Sequence, residues 1–181
     1  MTAPQSETKA SLASYDISAL MTQTRLLAAD YRQQTGQALP VTEELARFDA
    51  ISLLALEKVT DIDGIDAYNR NEIKACDKEA DDSNAAGDEK RYYLIKGRVI
   101  FKGGKARQKL GKLSLKSPWH ELLMVIYDAD YQPCSIFKVS RDIINQELSS
   151  LAKDKRGSMT VAKYKAIGKM VWQSAPENQS I

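Results

Sequence analysis

Hydrophobic and polar positions along this chain follow two different periods. Ile17, Leu20, Met21, Leu27, Ala28 and Tyr31 recur at helical spacing, which predicts an amphipathic helix opened by Asp16 as N-cap and stopped by Gly36. A second helix is predicted after Pro40, with Thr42 as N-cap and Leu45, Phe48, Ile51 and Leu54 as its buried stripe. The pattern then shortens to strand length. Ile65 to Tyr68 follows Gly64, and Tyr92 to Phe101 is rich in aromatic and β-branched residues. Glu121 to Tyr127 is a continuous apolar run too short for a separate helix and reads as a strand buried on both faces. A turn over Asp128 to Pro133 returns the chain into a pairing strand, Cys134 to Val139. Ser140 is placed to cap a helix with Ile143, Ile144, Leu148 and Leu151 inward, followed by a basic linker from Lys153 to Gly157. A last helix is predicted from Thr160, burying Val161, Tyr164, Ile167 and Val171 and leaving Lys163, Lys165 and Lys169 polar. Gly168 inside it marks close packing or the approach of a ligand.

Helix, helix, strands, helix, helix predicts an α/β fold with a central mixed sheet flanked by helices. The expected organisation is one domain over residues 14–173, after a disordered stretch 1–13 and before a flexible tail 174–181. Residues 69–89 are expected to form an exposed acidic insert between hairpin strands. With 28% charged and 43% apolar residues, the composition is that of an ordinary globular protein. No apolar run approaches the roughly 20 residues of a membrane span, and Met1 to Lys9 lacks a signal peptide's apolar segment. Cys76 and Cys134 form neither a metal spacing nor a disulfide framework, so a reduced, cytoplasmic protein is expected. His120 is the only histidine, which argues against zinc sites and most Ser-His or Cys-His catalysis.

Net charge is only +2, but its distribution is uneven. Glu72 to Glu89 holds seven acidic residues against two lysines. Lys90 to Lys116 then holds ten Lys or Arg and no acid, with four glycines among them. Such a run is an electrostatic footprint for phosphates, and glycines let backbone N–H groups approach an anion. Arg98, Lys102, Lys105, Arg107, Lys109 and Lys112 are the candidate nucleic-acid contacts. The alternative is a basic loop neutralised by the acidic insert before it.

Two neighbouring strands would bring the Asp66 carboxylate near the Lys96 ammonium. A carboxylate that holds a divalent cation beside a lysine that orients water suits phosphodiester hydrolysis. Gly64-Ile65-Asp66-Ala67 followed by Ile95-Lys96-Gly97-Arg98 resembles the core of the PD-(D/E)XK restriction-endonuclease-like superfamily. More narrowly it resembles a group of uncharacterised bacterial domains with Gly-x-Asp-Ala and Gln-Ile-Lys-Gly-Arg strands, over residues 24–172. The resemblance implies a restriction-endonuclease-like core and a Mg or Mn ion held by Asp66, the backbone carbonyl of Ile95 and Glu44. It also implies that Lys96 positions the attacking water. Glu44 is preferred to Glu43, which is placed to pair with Arg47 one turn on, and Glu57 is the fallback. One position departs from the pattern: two before the lysine, where the family carries Glu, Asp or Gln, stands Leu94. A leucine ligates no metal. Two functions therefore stay open, a nucleic-acid-binding domain with weak or no metal-dependent hydrolysis, and a non-catalytic module for a partner protein on a decayed nuclease fold.

Overall fold

A computed structural model describes residues 16–69, 90–101, 108–111, 113, 116–149 and 159–175. The expectations placed on 1–13, on the insert over 70–89, on the linker over 153–157 and on 176–181 lie outside them, as do Lys102, Lys105, Arg107, Lys112 and Leu151. Two helices, α1 (Ile17–Thr35) and α2 (Thr42–Leu53), precede strands β1 (Glu57–Lys58), β2 (Ala67–Asn69), β3 (Arg91–Val99), β4 (Glu121–Tyr127) and β5 (Pro133–Ser140). Then follow α3 (Arg141–Ser149), α4 (Val161–Ile167) and β6 (Lys169–Gln173). The strands form one mixed sheet in sequence order, antiparallel throughout except for the parallel pair β3–β4. A parallel neighbour demands a crossover, and here residues 100–120 supply it.

The sheet is buried on both sides. Leu122, Met124 and Ile126 of β4 join Leu94, Trp119, Ile144, Leu148 and Tyr164 in one core. Leu123, Val125 and Tyr127 join Ala28, Leu45, Ala46, Ala50, Tyr93 and Ile95 in the other. Because successive side chains of a strand point to opposite faces, a strand packed on both sides must be apolar at successive positions, as β4 is from Leu122 to Tyr127. The α/β arrangement with helices about a mixed sheet is thus the one expected.

The helix ends follow local chemistry. Asp16 Oδ1 accepts from Ser18 N–H at 2.9 Å, and Gly36 closes α1 in the left-handed conformation with φ 70°. Thr42, expected to cap α2, lies instead inside its first turn; Val41 is the N-cap and offers no side-chain acceptor. In the β4–β5 turn, Asp128 Oδ1 accepts from the N–H groups of Asp130 and Gln132 at 2.9 and 2.8 Å.

On α3, Ile143, expected inward, is 41% exposed, and only Ile144 and Leu148 are buried. Two larger expectations are also corrected. The last helix does not reach Val171: α4 stops at Ile167, and Lys169–Gln173 pairs with β5 as an edge strand. An unpaired strand edge offers a row of donors and acceptors, and the β-prone Val171-Trp172 takes them despite its helical spacing from Ile167. Gly168 is extended, and a Cβ there would come within 2.9 Å of the Tyr164 carbonyl and 3.0 Å of Val139 Cγ2, so the packing half of its reading holds. The second correction concerns α1, whose core face is Arg25, Ala28 and Ala29, while Ile17, Leu20, Leu27 and Tyr31 stay exposed. Arg25 is drawn inward because Asp49 of α2, the Tyr131 carbonyl and Tyr127 form a buried polar set around it. Its guanidinium bonds Asp49 Oδ1 and, at 2.6 Å, the Tyr131 carbonyl; the Tyr127 hydroxyl donates to Asp49 Oδ2 at 2.6 Å.

Candidate functional site

The site is set by how α2 docks on β3. Gly97 carries no Cβ; one built there would sit 2.6 Å from the Thr42 carbonyl and 2.8 Å from Ala46 Cβ. Glycine in the Lys96-Gly97-Arg98 run is therefore what lets the helix approach the strand. Thr42, Ala46 and Ala50 face the sheet, and the residues one step round the helix, Glu43 and Arg47, overhang its edge. Because β2 pairs only with residues 91–93 of β3, the edge beyond is left to these side chains.

Asp66 lies immediately before β2, its backbone N–H bonded to the Tyr93 carbonyl at 2.9 Å. Its carboxylate is engaged twice. Oδ1 accepts from Arg47 Nε at 2.7 Å, and Oδ2 accepts from the amide N–H of Ile95 at 2.6 Å. It is thus the N–H of Ile95, rather than its carbonyl, that addresses Asp66. Lys96, half-buried, donates to Glu43 Oε2 at 3.1 Å. Glu44, with 69% of its side chain exposed, bonds Arg47 instead. The structure therefore brings Glu43, not Glu44, to the lysine. Glu57 is spent on the Tyr68 hydroxyl along the outer strand.

Asp66, Lys96, Arg47 and Leu94 share a cleft of about 610 Å³ with the turn Thr60 to Ile65, which adds Asp61 and Asp63. Asp66, just ahead of β2, and Lys96 of β3 thus line one cleft. That turn is held against the next segment at Gly64, where φ is +75° and a Cβ would fall 2.1 Å from Ser117 Oγ. Leu94 is 8% exposed and forms part of the cleft wall between the two candidate residues. Burial pulls the Arg47 guanidinium toward deprotonation, but its hydrogen bond to Asp66 and the nearby Glu44 and Glu43 outweigh this and hold it above its ordinary pKa. It is a permanent cation in the cleft.

These donors do not fit a divalent cation as they stand. Asp66 already has a cation on one oxygen and an N–H on the other, Glu43 is bound to Lys96, and Leu94 supplies no oxygen. Among the described residues no group of three His, Cys, Asp or Glu converges on one point. A hard cation takes several oxygen ligands, and its affinity follows their charge.

Arg98 departs from its expected role. Its Nε donates to the Lys109 carbonyl at 3.0 Å and its Nη2 to that of Leu110, so its guanidinium ties β3 to the returning segment instead of reaching outward. Burial lowers its pKa, opposed in part by Glu43. The segment is held at two further points: Gln108 Nε2 donates to the Val99 carbonyl at 3.1 Å, and Lys109 bridges Thr160. Lys109 itself is exposed. Of the candidate nucleic-acid contacts that the structure describes, Lys109 alone keeps its charge toward solvent.

Arg47 and Glu43 were missed as site residues. A signal for them existed: Ala46 and Ala50, small residues one turn apart, mark the face that packs closely on a sheet, and Glu43 and Arg47 are its immediate flank. No family model matches the chain, and no curated protein is detectably similar to it.

Proposed function

We propose that this chain is a nucleic-acid-binding domain with a nuclease-like arrangement of Asp66 and Lys96 that does not hydrolyse its ligand. The observation that carries the reading is the Arg47–Asp66 pair: a guanidinium 2.7 Å from Oδ1 stands where a catalytic cation would be needed. Leu94 removes the neighbouring carboxylate, and Glu43 neutralises Lys96. The binding half rests on the acid-free basic segment Lys90 to Lys116, which leaves the site along β3. Its base is fastened by Arg98 and Gln108, which leaves Lys102, Lys105, Arg107, Lys109 and Lys112 as the charges for phosphates. No described helix is long and apolar enough to cross a membrane; with Cys134 a free thiol, we assign the chain to the reducing cytoplasm.

The test combines binding and cleavage. Fluorescence anisotropy with labelled DNA and RNA at low salt should show saturable binding, and the same substrates should survive incubation with Mg²⁺ or Mn²⁺. Metal-dependent cleavage abolished by Asp66→Ala would overturn the non-hydrolytic reading. Absence of binding at low salt would overturn the nucleic-acid reading and favour the partner-protein module.

A further inference from the structure

Single exposed apolar residues are ordinary on a protein surface, but a continuous stripe of them marks a place where something docks. α1 carries such a stripe. Ile17, Leu20, Thr24, Leu27 and Tyr31 recur at intervals of three, four, three and four residues, the spacing of the seam between paired helices. Ile17, Leu20, Leu27 and Tyr31 are 55%, 36%, 63% and 37% exposed, while α1 packs on the domain through the adjoining face of Arg25, Ala28 and Ala29. Thr24, half-buried between them, donates its hydroxyl to the Leu20 carbonyl at 2.8 Å, which leaves its methyl group to continue the apolar line.

At its N-terminal end the stripe runs into a recess. Ile17 and Met21 wall it with Phe48 and Ile51 of α2, around a volume of about 480 Å³. Ile17 is exposed and the other three are half-buried, so the recess offers apolar surface to a visiting side chain.

Charge and symmetry decide what covers this surface. Of the three charged residues of α1, Arg25 is buried against Asp49, and Arg32 lies over the Phe101 ring, 3.2 Å from its centroid. Asp30 alone is exposed. A face flanked by no exposed cation suits neither nucleic acid nor an anionic membrane, both of which are met by Lys and Arg. The spacing is close to symmetric about Thr24, with seven residues either way to Ile17 and Tyr31, and four and three to Leu20 and Leu27. A stripe of that form complements itself when a second copy runs antiparallel, as a two-fold interface requires. That orientation sets the second copy's Tyr31 beside Ile17, at the mouth of the recess, and separates the two Asp30 carboxylates by about 18 Å along the helix axis. A parallel pair would put those carboxylates side by side and bring no aromatic ring to the recess.

We propose that α1 is a self-association face: two copies of the chain pair antiparallel about Thr24, each seating Tyr31 in the other's recess. Apolar burial supplies the affinity, and an aromatic side chain in a pocket is its anchor. A stripe about 21 Å long on a helix about 10 Å wide falls below the roughly 800 Å² per partner of a standard interface, so the dimer belongs to the weak, reversible class. The proposal uses no charge of the Asp66 cleft or of the basic segment, and it stands or falls apart from the nucleic-acid reading.

The experiment is sedimentation equilibrium of the full chain from micromolar to millimolar concentration, joined to cysteine cross-linking. The wild type should pass from monomer to dimer across that range. Leu27→Lys and Tyr31→Ala should each weaken the dimer about tenfold or more, with circular-dichroism melts like the wild type's because both positions are exposed. With Cys76 and Cys134 replaced by serine, Thr24→Cys should give a covalent dimer on mild oxidation. Gln33→Cys, exposed on the far side of α1, should not. Ile17→Cys alone should also stay monomeric, and its efficient cross-linking would mean a parallel pair and overturn the arrangement. A chain that stays monomeric at millimolar concentration, including one that binds neutral vesicles instead, would overturn the proposal. So would a dimer that Leu27→Lys leaves intact.

Discussion

Arg47 Nε and Asp66 Oδ1 lie 2.7 Å apart, so a helix side chain caps the one carboxylate that the strand motif offers to a cation. The same carboxylate holds the Ile95 N–H on its other oxygen. Asp66 thereby fastens α2 to the start of β2 and to the middle of β3. It has become a joint of the fold.

Removing the cap should expose what remains of a metal site. Arg47→Ala with Leu94→Glu returns a free carboxylate oxygen at Asp66 and adds a second acid on the same cleft wall. Isothermal titration should show Mn²⁺ binding in the double variant that the wild type lacks, with Mn²⁺ ahead of Mg²⁺ because it tolerates irregular oxygen sites. Arg47→Ala alone should cost about 1–2 kcal/mol in urea denaturation, because Asp66 keeps only one of its two donors. Equal Mn²⁺ affinity in all variants would show that the cleft cannot be assembled into a site.

Position 94 also tests the strand register. Leu94 lines the cleft but packs against the core, so Leu94→Glu alone should destabilise by about 1–3 kcal/mol while leaving the protein folded, its carboxylate reaching water through the opening. Complete loss of the folded circular-dichroism signal would mean that position 94 points into the core rather than the cleft.

Gly97→Ala should be among the costlier single-methyl additions in the chain. Its Cβ would meet the backbone of Thr42 at 2.6 Å, and backbone cannot rotate away. Overpacking of this kind costs about 1–3 kcal/mol. It should also lift α2 and loosen the Glu43–Lys96 pair. Gly36→Ala, where no atom lies within 4 Å but φ is +70°, should cost only the local strain of about 1 kcal/mol. Thermal melts of the two variants that fall in the opposite order would refute the docking account.

Salt dependence separates the anchoring arginine from the contacting lysines. If the basic segment binds phosphates, Lys105→Ala, Arg107→Ala and Lys109→Ala together should flatten the slope of log affinity against log salt by up to about 2–3. Arg98→Ala should instead lower stability, since its carbonyl partners at Lys109 and Leu110 lose their donors. An Arg98→Ala variant of full stability with a flattened slope would place that side chain on the ligand after all.

The buried set around Asp49 predicts alkaline sensitivity. Burial, then the Asp49 charge and hydrogen bond, push the Tyr127 hydroxyl far above its ordinary value, and burial does the same at Tyr164. For an acid raised in the folded state, the folded chain holds its proton where the unfolded one releases it. The contribution of these two tyrosines to stability should therefore be constant below the unfolded pKa of about 10 and fall as pH rises above it. Tyr127→Phe should shallow that fall and, at neutral pH, cost about 1–3 kcal/mol by leaving Asp49 Oδ2 without its donor. Urea titrations at pH values on either side of 10 would show it.

What the chain determined by itself is its local periodicity. The strand Glu121 to Tyr127, the turn at Asp128 and the caps at Asp16 and Gly36 were all legible, because each depends on residues near in sequence. What needed the tertiary structure was partnership. Helical spacing alone ranks Ile17, Leu20 and Leu27 as core and Arg25 as surface; the buried carboxylate of Asp49, distant in sequence, reverses that order. Spacing makes Lys169 to Gln173 helical, and the vacant edge of β5 makes it a strand. Glu43 and Glu44 are equivalent acids in a first turn until Gly97 sets how closely α2 docks, and only then does one of them reach Lys96. A carboxylate's chemistry is decided by the cation opposite it, and across long stretches of chain only the packing brings that cation into place.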